Sequence, residues 1–265
     1  MKKKSLAILI ALLGVACLVC GGLLLFHQPK PAPVNPAPSA APTASPTVEP
    51  TEEPRSEPQN SQPGATEEPY VSPIDFASLQ EQNPDIYGWL RIPNTEFDFP
   101  LVQREGDDSF YLTHGSDGEE NPAGAIFTES AYNSTDMEDP VTVAYGHQMH
   151  AGTMFGKLQA TYSQENALED YGEIIVYLPD REYHYQVFAA VPYDNRHILY
   201  NYDCTDSRRF NAFLNSIYEV REIGAQFASG VTVSTDDKVL VLSTCLAGNS
   251  QRRYLVLAVC QAEID

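Results

Sequence analysis

Lys238-Val239-Leu240-Val241-Leu242-Ser243-Thr244-Cys245, followed after a short connection by Arg252-Arg253-Tyr254-Leu255-Val256-Leu257-Ala258-Val259, reads as two apolar strands joined by a polar segment. Nearly uninterrupted aliphatic runs of this kind belong to strands covered on both faces. Cys245 stands where the first strand surfaces, and a guanidinium stands at the start of the second. A thiol beside a fixed cation is a nucleophile beside a group that stabilises an oxyanion. The pairing points to acyl transfer.

Such a site also needs a proton-handling group, and Tyr145-Gly146-His147-Gln148-Met149 supplies an imidazole directly after the strand-like Val141-Thr142-Val143-Ala144. Taken together, Val-Ala-Tyr-Gly-His-Gln-Met at 143–149, Gly-Thr-Met-Phe-Gly-Lys-Leu at 152–158, Leu-Ser-Thr-Cys at 242–245 and Arg-Tyr-Leu-Val at 253–256 resemble a sortase, and specifically a class B sortase. The resemblance spans roughly residues 74 to 260. Adjacent strand residues point to opposite faces, so only one of Arg252 and Arg253 faces Cys245. The family pattern implies Arg253, leaving Arg252 as a solvated surface residue.

The amino-terminal region divides by composition. Lys2, Lys3 and Lys4 precede an apolar run from Ser5 to Phe26, about the ~20 residues of a membrane-spanning helix, with the short 1–4 segment on the cytoplasmic side. A cleaved signal peptide fits less well, because no small-residue cleavage site closes the run, and a lipoprotein fits poorly because neither Cys17 nor Cys20 follows a lipobox leucine. Residues 27–70 hold twelve of the twenty prolines and read as an extended, disordered stalk. Residues 71–265 then form one domain on the extracellular side.

That domain is acidic, and the whole chain carries a formal charge of −20. No basic stripe is available for phosphates, which argues against a nucleic-acid partner. His147 and His150 have His-x-x-His spacing without further ligands, and Asp117 to Glu120 reads as a solvated loop, so neither a metal nor a cofactor is expected. His114, His184 and His197 are isolated and read as structural. Outside the apolar run the thiols are Cys204, Cys245 and Cys260. Cys204 and Cys260 are expected as buried free thiols, with a disulfide between them as the alternative.

Strand-like runs occur at 88–92, 97–102, 125–127, 141–145, 173–178, 183–191, 231–234, 239–244 and 254–260, with a hairpin signal at Pro179-Asp180. This number favours a closed β-barrel. Ser72-Pro73-Ile74-Asp75 reads as a helix start with Ser72 as cap, ending by Asn83-Pro84. A longer helix from about Asp206 to Glu222 carries Phe210, Phe213, Leu214, Ile217 and Tyr218 on one stripe, with Gly224 as its stop. The resemblance implies a mainly β, closed eight-stranded sortase-type barrel, with an N-terminal helix and a long helix between strands six and seven.

The same resemblance implies a membrane-anchored cysteine transpeptidase. Cys245 attacks a sorting signal after its threonine, Arg253 stabilises the oxyanion, and His147 protonates the leaving amine. A cell-wall amine then resolves the thioester. Tyr145, Ser243 and Thr244 are candidate contacts to the sorting peptide, with Ser243 and Thr244 alternatively plain strand-end residues. Papain-like enzymes place cysteine before histidine, and L,D-transpeptidases show Ser-x-Gly-Cys where this chain has Ser-Thr-Cys. A pilin-polymerising sortase and a non-catalytic peptide-binding module are the remaining alternatives. Gln148 stands where the family often has asparagine, and the sorting motif stays open.

Overall fold

The computed structural model describes residues 69–265. The 1–4 and 5–26 segments and nearly all of the 27–70 stalk lie outside the described residues. No helix among the described residues is long and apolar enough to cross a membrane.

The order of elements is α1 (Phe76–Gln82), β1 (Ile86–Arg91), β2 (Asp98–Val102), β3 (Ile126–Phe127), β4 (Val141–Tyr145), α2 (Leu158–Tyr162), α3 (Ala167–Asp170), β5 (Glu173–Tyr177), β6 (Glu182–Tyr193), α4 (Ile198–Asn201), α5 (Ser207–Tyr218), β7 (Gln226–Phe227), β8 (Val239–Leu246) and β9 (Asn249–Ile264). The sheet runs β5-β1-β2-β3-β4-β8-β9-β6-β7, and a further β5–β6 ladder joins its ends. Eight strands therefore close into a barrel, and β7 hangs outside on β6. Closure removes the unpaired edges that an open sheet of this length would expose.

Alternation along the central strands feeds two apolar layers. Ala144, Leu240, Leu242, Tyr254, Val256 and Ala258 point into the barrel with Leu90, Leu101 and Tyr185. Val143, Val239, Val241, Leu255 and Leu257 point outward, where Phe210, Phe213, Leu214 and Ile217 of α5 cover them. This two-sided burial explains why the runs at 239–242 and 254–259 lack polar alternation. A smaller cluster seats α1, through Phe76, against Ile86, Val102, Tyr111 and Phe127.

Local signals hold with some displacement. The α5 cap is Asp206, whose side chain accepts from Arg208 N and Arg209 N, and the helix ends at Tyr218 rather than 222. The α1 cap is Asp75, not Ser72: its carboxylate accepts from Ser78 N at 3.1 Å and Ser78 Oγ at 2.7 Å. A carboxylate with two free oxygens satisfies these donors together, which a serine four residues before Phe76 does not reach. The helix stops at Asn83, which is extended because Pro84 follows.

The Val231–Ser234 strand is absent, and the two-residue β7 pairs with Ala189 and Ala190 instead. Val231 and Val233 owe their alternation to packing on the α5 layer, without a ladder. Helices α2 and α3 were not legible from periodicity, because each is shorter than two turns. Among the described residues Cys204, Cys245 and Cys260 form no disulfide with one another. Cys204 is buried, and its burial raises its thiol to about 12, while Cys260 is only half-buried.

Phe213 is fully buried at the joint between α5 and the sheet. Phe213→Ala is expected to destabilise the domain by about 3–5 kcal/mol, read as a lower denaturation midpoint with an unchanged slope.

Candidate active site

Strands β8 and β9 run antiparallel with Cys245 directly opposite Arg253. Residues opposed in this way share a face, so the register alone brings the thiol and the guanidinium together. Arg253 Nη1 lies 3.8 Å from Cys245 Sγ, and it donates to Ser250 O at 3.0 Å and Arg252 O at 3.2 Å. The ladder shifts register between Cys245 and Leu246, so the thiol sits at an irregularity where the strand is bent. Arg252 is not simply solvated: its guanidinium forks onto Glu222, with Nη2 to Oε1 at 2.6 Å, and Nε donates to Tyr193 O at 3.3 Å. The Glu222 carboxyl is held below its usual range by that contact.

Strand β4 runs parallel to β8 with Tyr145 beside Ser243. Ser243 is two residues from Cys245, hence on its face, and Tyr145 joins the same surface. Thr244 alternates to the interior face, opposite Tyr254. Its buried Oγ1 and the buried Tyr254 hydroxyl have no hydrogen-bond partner among the described residues.

His147 follows β4 by two residues. Gly146 N donates to Ser243 O at 3.1 Å, tying the turn to β8. The His147 Nε2 lies 2.8 Å from the Leu112 carbonyl. A carbonyl only accepts, so Nε2 carries the hydrogen and Nδ1 is the nitrogen left to exchange a proton. Leu112 is itself braced. His114 stacks on Phe110 at 3.9 Å between ring centroids, the Arg104 guanidinium lies 3.7 Å from the Phe110 ring, and His114 Nδ1 donates to Phe110 O at 2.9 Å.

Cys245, His147, Arg253, Tyr145, Ser243 and Thr244 all border one groove of about 410 Å³. All six residues singled out from the sequence therefore come together. The same groove takes in Asp108, Glu129 and the segment Asp194 to Ile198. Asp108 and Glu129 were missed, because they lie in stretches without a motif, and His197, read as structural, is joined to Glu129 only by the strand order. His184, outside the groove, bridges Glu173 and Glu182 at 2.9 Å each, and Glu182 also accepts from Tyr70.

Comparison with known proteins matches residues 90–261 to the Sortase domain family model. Sortase B of Listeria monocytogenes is 29% identical over 182 residues, covering 64% of this chain and 67% of that protein. The structure of sortase B from B. anthracis in complex with AAEK1 superposes with a TM-score of 0.60 at 27% identity, covering 70% of this chain and 83% of that one. A Staphylococcus aureus sortase B–substrate complex gives a TM-score of 0.60 at 26% identity, covering 70% and 84%.

Gly124 has φ +63, and a Cβ there would lie 2.5 Å from Tyr111 O and 3.1 Å from His147 Cδ2. Gly124→Ala is expected to push the imidazole and the Leu112 turn apart. It should slow turnover of an acyl substrate by roughly 10- to 100-fold while Cys245 still reacts with iodoacetamide. Full turnover in that variant would show that this contact does not hold the ring.

Proposed function

This chain belongs to the sortase family, as a class B sortase and cysteine transpeptidase, and from that premise we propose that it is membrane-anchored and joins surface proteins to a cell-wall amine after cleaving a sorting signal behind its threonine. The observation that carries the reading is the cross-strand placement of Cys245 against Arg253 in the groove that also holds His147.

The residues allow the following sequence. The Cys245 thiol passes its proton to His147 Nδ1 as its sulfur attacks the threonine carbonyl, and charge develops on the carbonyl oxygen. Arg253, permanently cationic and able to donate two parallel N–H groups, receives that charge. As the tetrahedral centre collapses, the bond to the next residue breaks and the leaving amine takes a proton from His147 Nδ1, leaving a thioester on Cys245. An incoming amine then attacks the thioester, His147 accepts its proton, and the thiol is regenerated as the new amide forms. Water in place of the amine gives hydrolysis. The apolar 5–26 run and the proline-rich 27–70 stretch support a membrane anchor and a stalk that carry the domain outside the cell.

The test is cleavage of fluorogenic peptides containing Asn-Pro-x-Thr-Asn, Leu-Pro-x-Thr-Gly or Ser-Pro-x-Thr-Gly by the full chain. Cleavage after threonine, lost in Cys245→Ala and diverted to an amide product by added amine, is the expected result. Cleavage that survives Cys245→Ala sinks the mechanism. Arg253→Lys is expected to lower kcat by about 100-fold with a small change in KM, because a point charge does not reproduce the planar fork.

A further inference from the structure

The turn that joins β8 to β9 does not by itself fix where Arg253 goes. Leu246 pairs with Asn249 across the short loop Ala247-Gly248, in which φ is positive only at Gly248. Two-residue hairpin turns whose twist matches the flanking strands need a positive φ at the first loop position, which Ala247 does not supply. The next pair is Cys245 with Arg253, so Ser250, Gln251 and Arg252 stand on β9 with nothing opposite them on β8. Register is broken between the turn and the site.

The Arg253 guanidinium is held by that looped segment rather than by the ladder. Its Nη1 donates to Ser250 O at 3.0 Å and to Arg252 O at 3.2 Å. Both are neutral acceptors bonded to one nitrogen, which leaves the rest of the fork for an oxyanion. The segment is itself fastened from the side. Ala247 N donates to Gln159 Oε1, on α2, at 2.9 Å, and among the described residues no other side chain from outside the hairpin bonds to residues 246–251. Leu246 adds an apolar hold, packing on the core cluster that contains Phe155 and Leu158. At the far end Arg252 forks onto Glu222, a solvent-facing ion pair of small worth.

The stretch that carries Gln159 also reaches His147. Phe155 N donates to His147 O at 3.1 Å, and Leu158 N donates to Phe155 O at 3.1 Å. Phe155 and Leu158 are fully buried, which gives α2 a rigid seat in the close-packed core. Residues 155–159 thus bond at one end to the backbone of the imidazole and at the other to the turn beyond the thiol. We propose that Gln159 is a positioning residue for Arg253: its amide oxygen fixes the turn at Ala247, and the turn's Ser250 carbonyl holds Nη1 so that the remaining N–H groups face the carbonyl oxygen of an acyl group on Cys245. This rests on the reading of Cys245 as nucleophile and Arg253 as oxyanion group.

The experiment uses the full chain in detergent with fluorogenic Asn-Pro-Gln-Thr-Asn, Leu-Pro-Gln-Thr-Gly and Ser-Pro-Gln-Thr-Gly peptides. Gln159→Leu keeps the bulk and removes the acceptor; it is expected to lower kcat by about tenfold with KM changed by less than about twofold. Gln159→Glu keeps an acceptor oxygen and should restore kcat to within about threefold of the wild type. In an Arg253→Lys background the Gln159→Leu loss should shrink to less than about twofold, because the group it positions is already gone. Hydrogen exchange, which needs no substrate, should be faster at the Ala247 amide in Gln159→Leu and near wild type in Gln159→Glu. An equal kcat loss in both backgrounds overturns the proposal, since a general loosening of the fold gives that result. A loss carried by KM, a Gln159→Glu variant as slow as Gln159→Leu, or unchanged exchange at Ala247 overturns it as well. If no peptide is cleaved in a Cys245-dependent way, the functional reading falls and this inference with it. Cys245-dependent cleavage that Gln159→Leu leaves untouched sinks the inference alone.

Discussion

The cross-strand pair Cys245–Arg253 is the constraint on which the rest of the site depends. Two antiparallel strands place a nucleophile and a cation side by side without a loop having to close over them, and a one-residue slip would send one of the two into the barrel. The register is held because both strands are buried on both faces. Leu242, Tyr254 and Val256 point inward while Val241, Leu255 and Leu257 point outward. A slip would exchange the two sets at every position. Burial of the whole ladder thus secures one contact of 3.8 Å at its end.

His147 enters by a different route. It lies past the end of β4, and its ring direction depends on the turn at Phe110–Leu112 rather than on a ladder. That turn is stiffened by an Arg104–Phe110–His114 stack, and Gly124 is needed so that the neighbouring backbone passes close to the ring. Cys245 and Arg253 rest on the sheet, whereas His147 rests on a braced turn. Such a division suits the acid–base role proposed for His147.

Charge is distributed with the same economy. A chain of net charge −20 spares few cations, and most of those around the groove are committed. Arg252 is held by Glu222, Arg196 by Asp194 and Arg104 by Asp85. Arg253 is left to the thiol. The Glu129 carboxylate meets His197 and that of Asp108 the backbone and hydroxyl of Ser130. Tyr145, coupled to Glu129 and reached by the field of Arg253, sits between them.

How much of this was legible in the chain follows from the range of the signals. The runs at 239–242 and 254–259, the α5 stripe apart from the exposed Tyr218, and the Pro179-Asp180 hairpin are local patterns of burial and turn chemistry that appear where the sequence places them. Tyr145, His147, Ser243, Cys245 and Arg253 were legible for the same reason, since each sits on or just beyond a strand whose neighbours announce it. Val231–Ser234 misled because a packed loop and a strand show the same alternation. Glu129 and Asp108 were silent and the partner of His197 was hidden, because a carboxylate after β3 and an imidazole after β6 meet only when eight strands close and a crossing segment spans their ends. Local propensity and periodicity act over a few residues, so the sequence by itself determined the elements and marked Cys245, Arg253 and His147 as the candidate chemistry. Closure of the barrel decided which distant charges face them, because that depends on strand order, which no local pattern encodes.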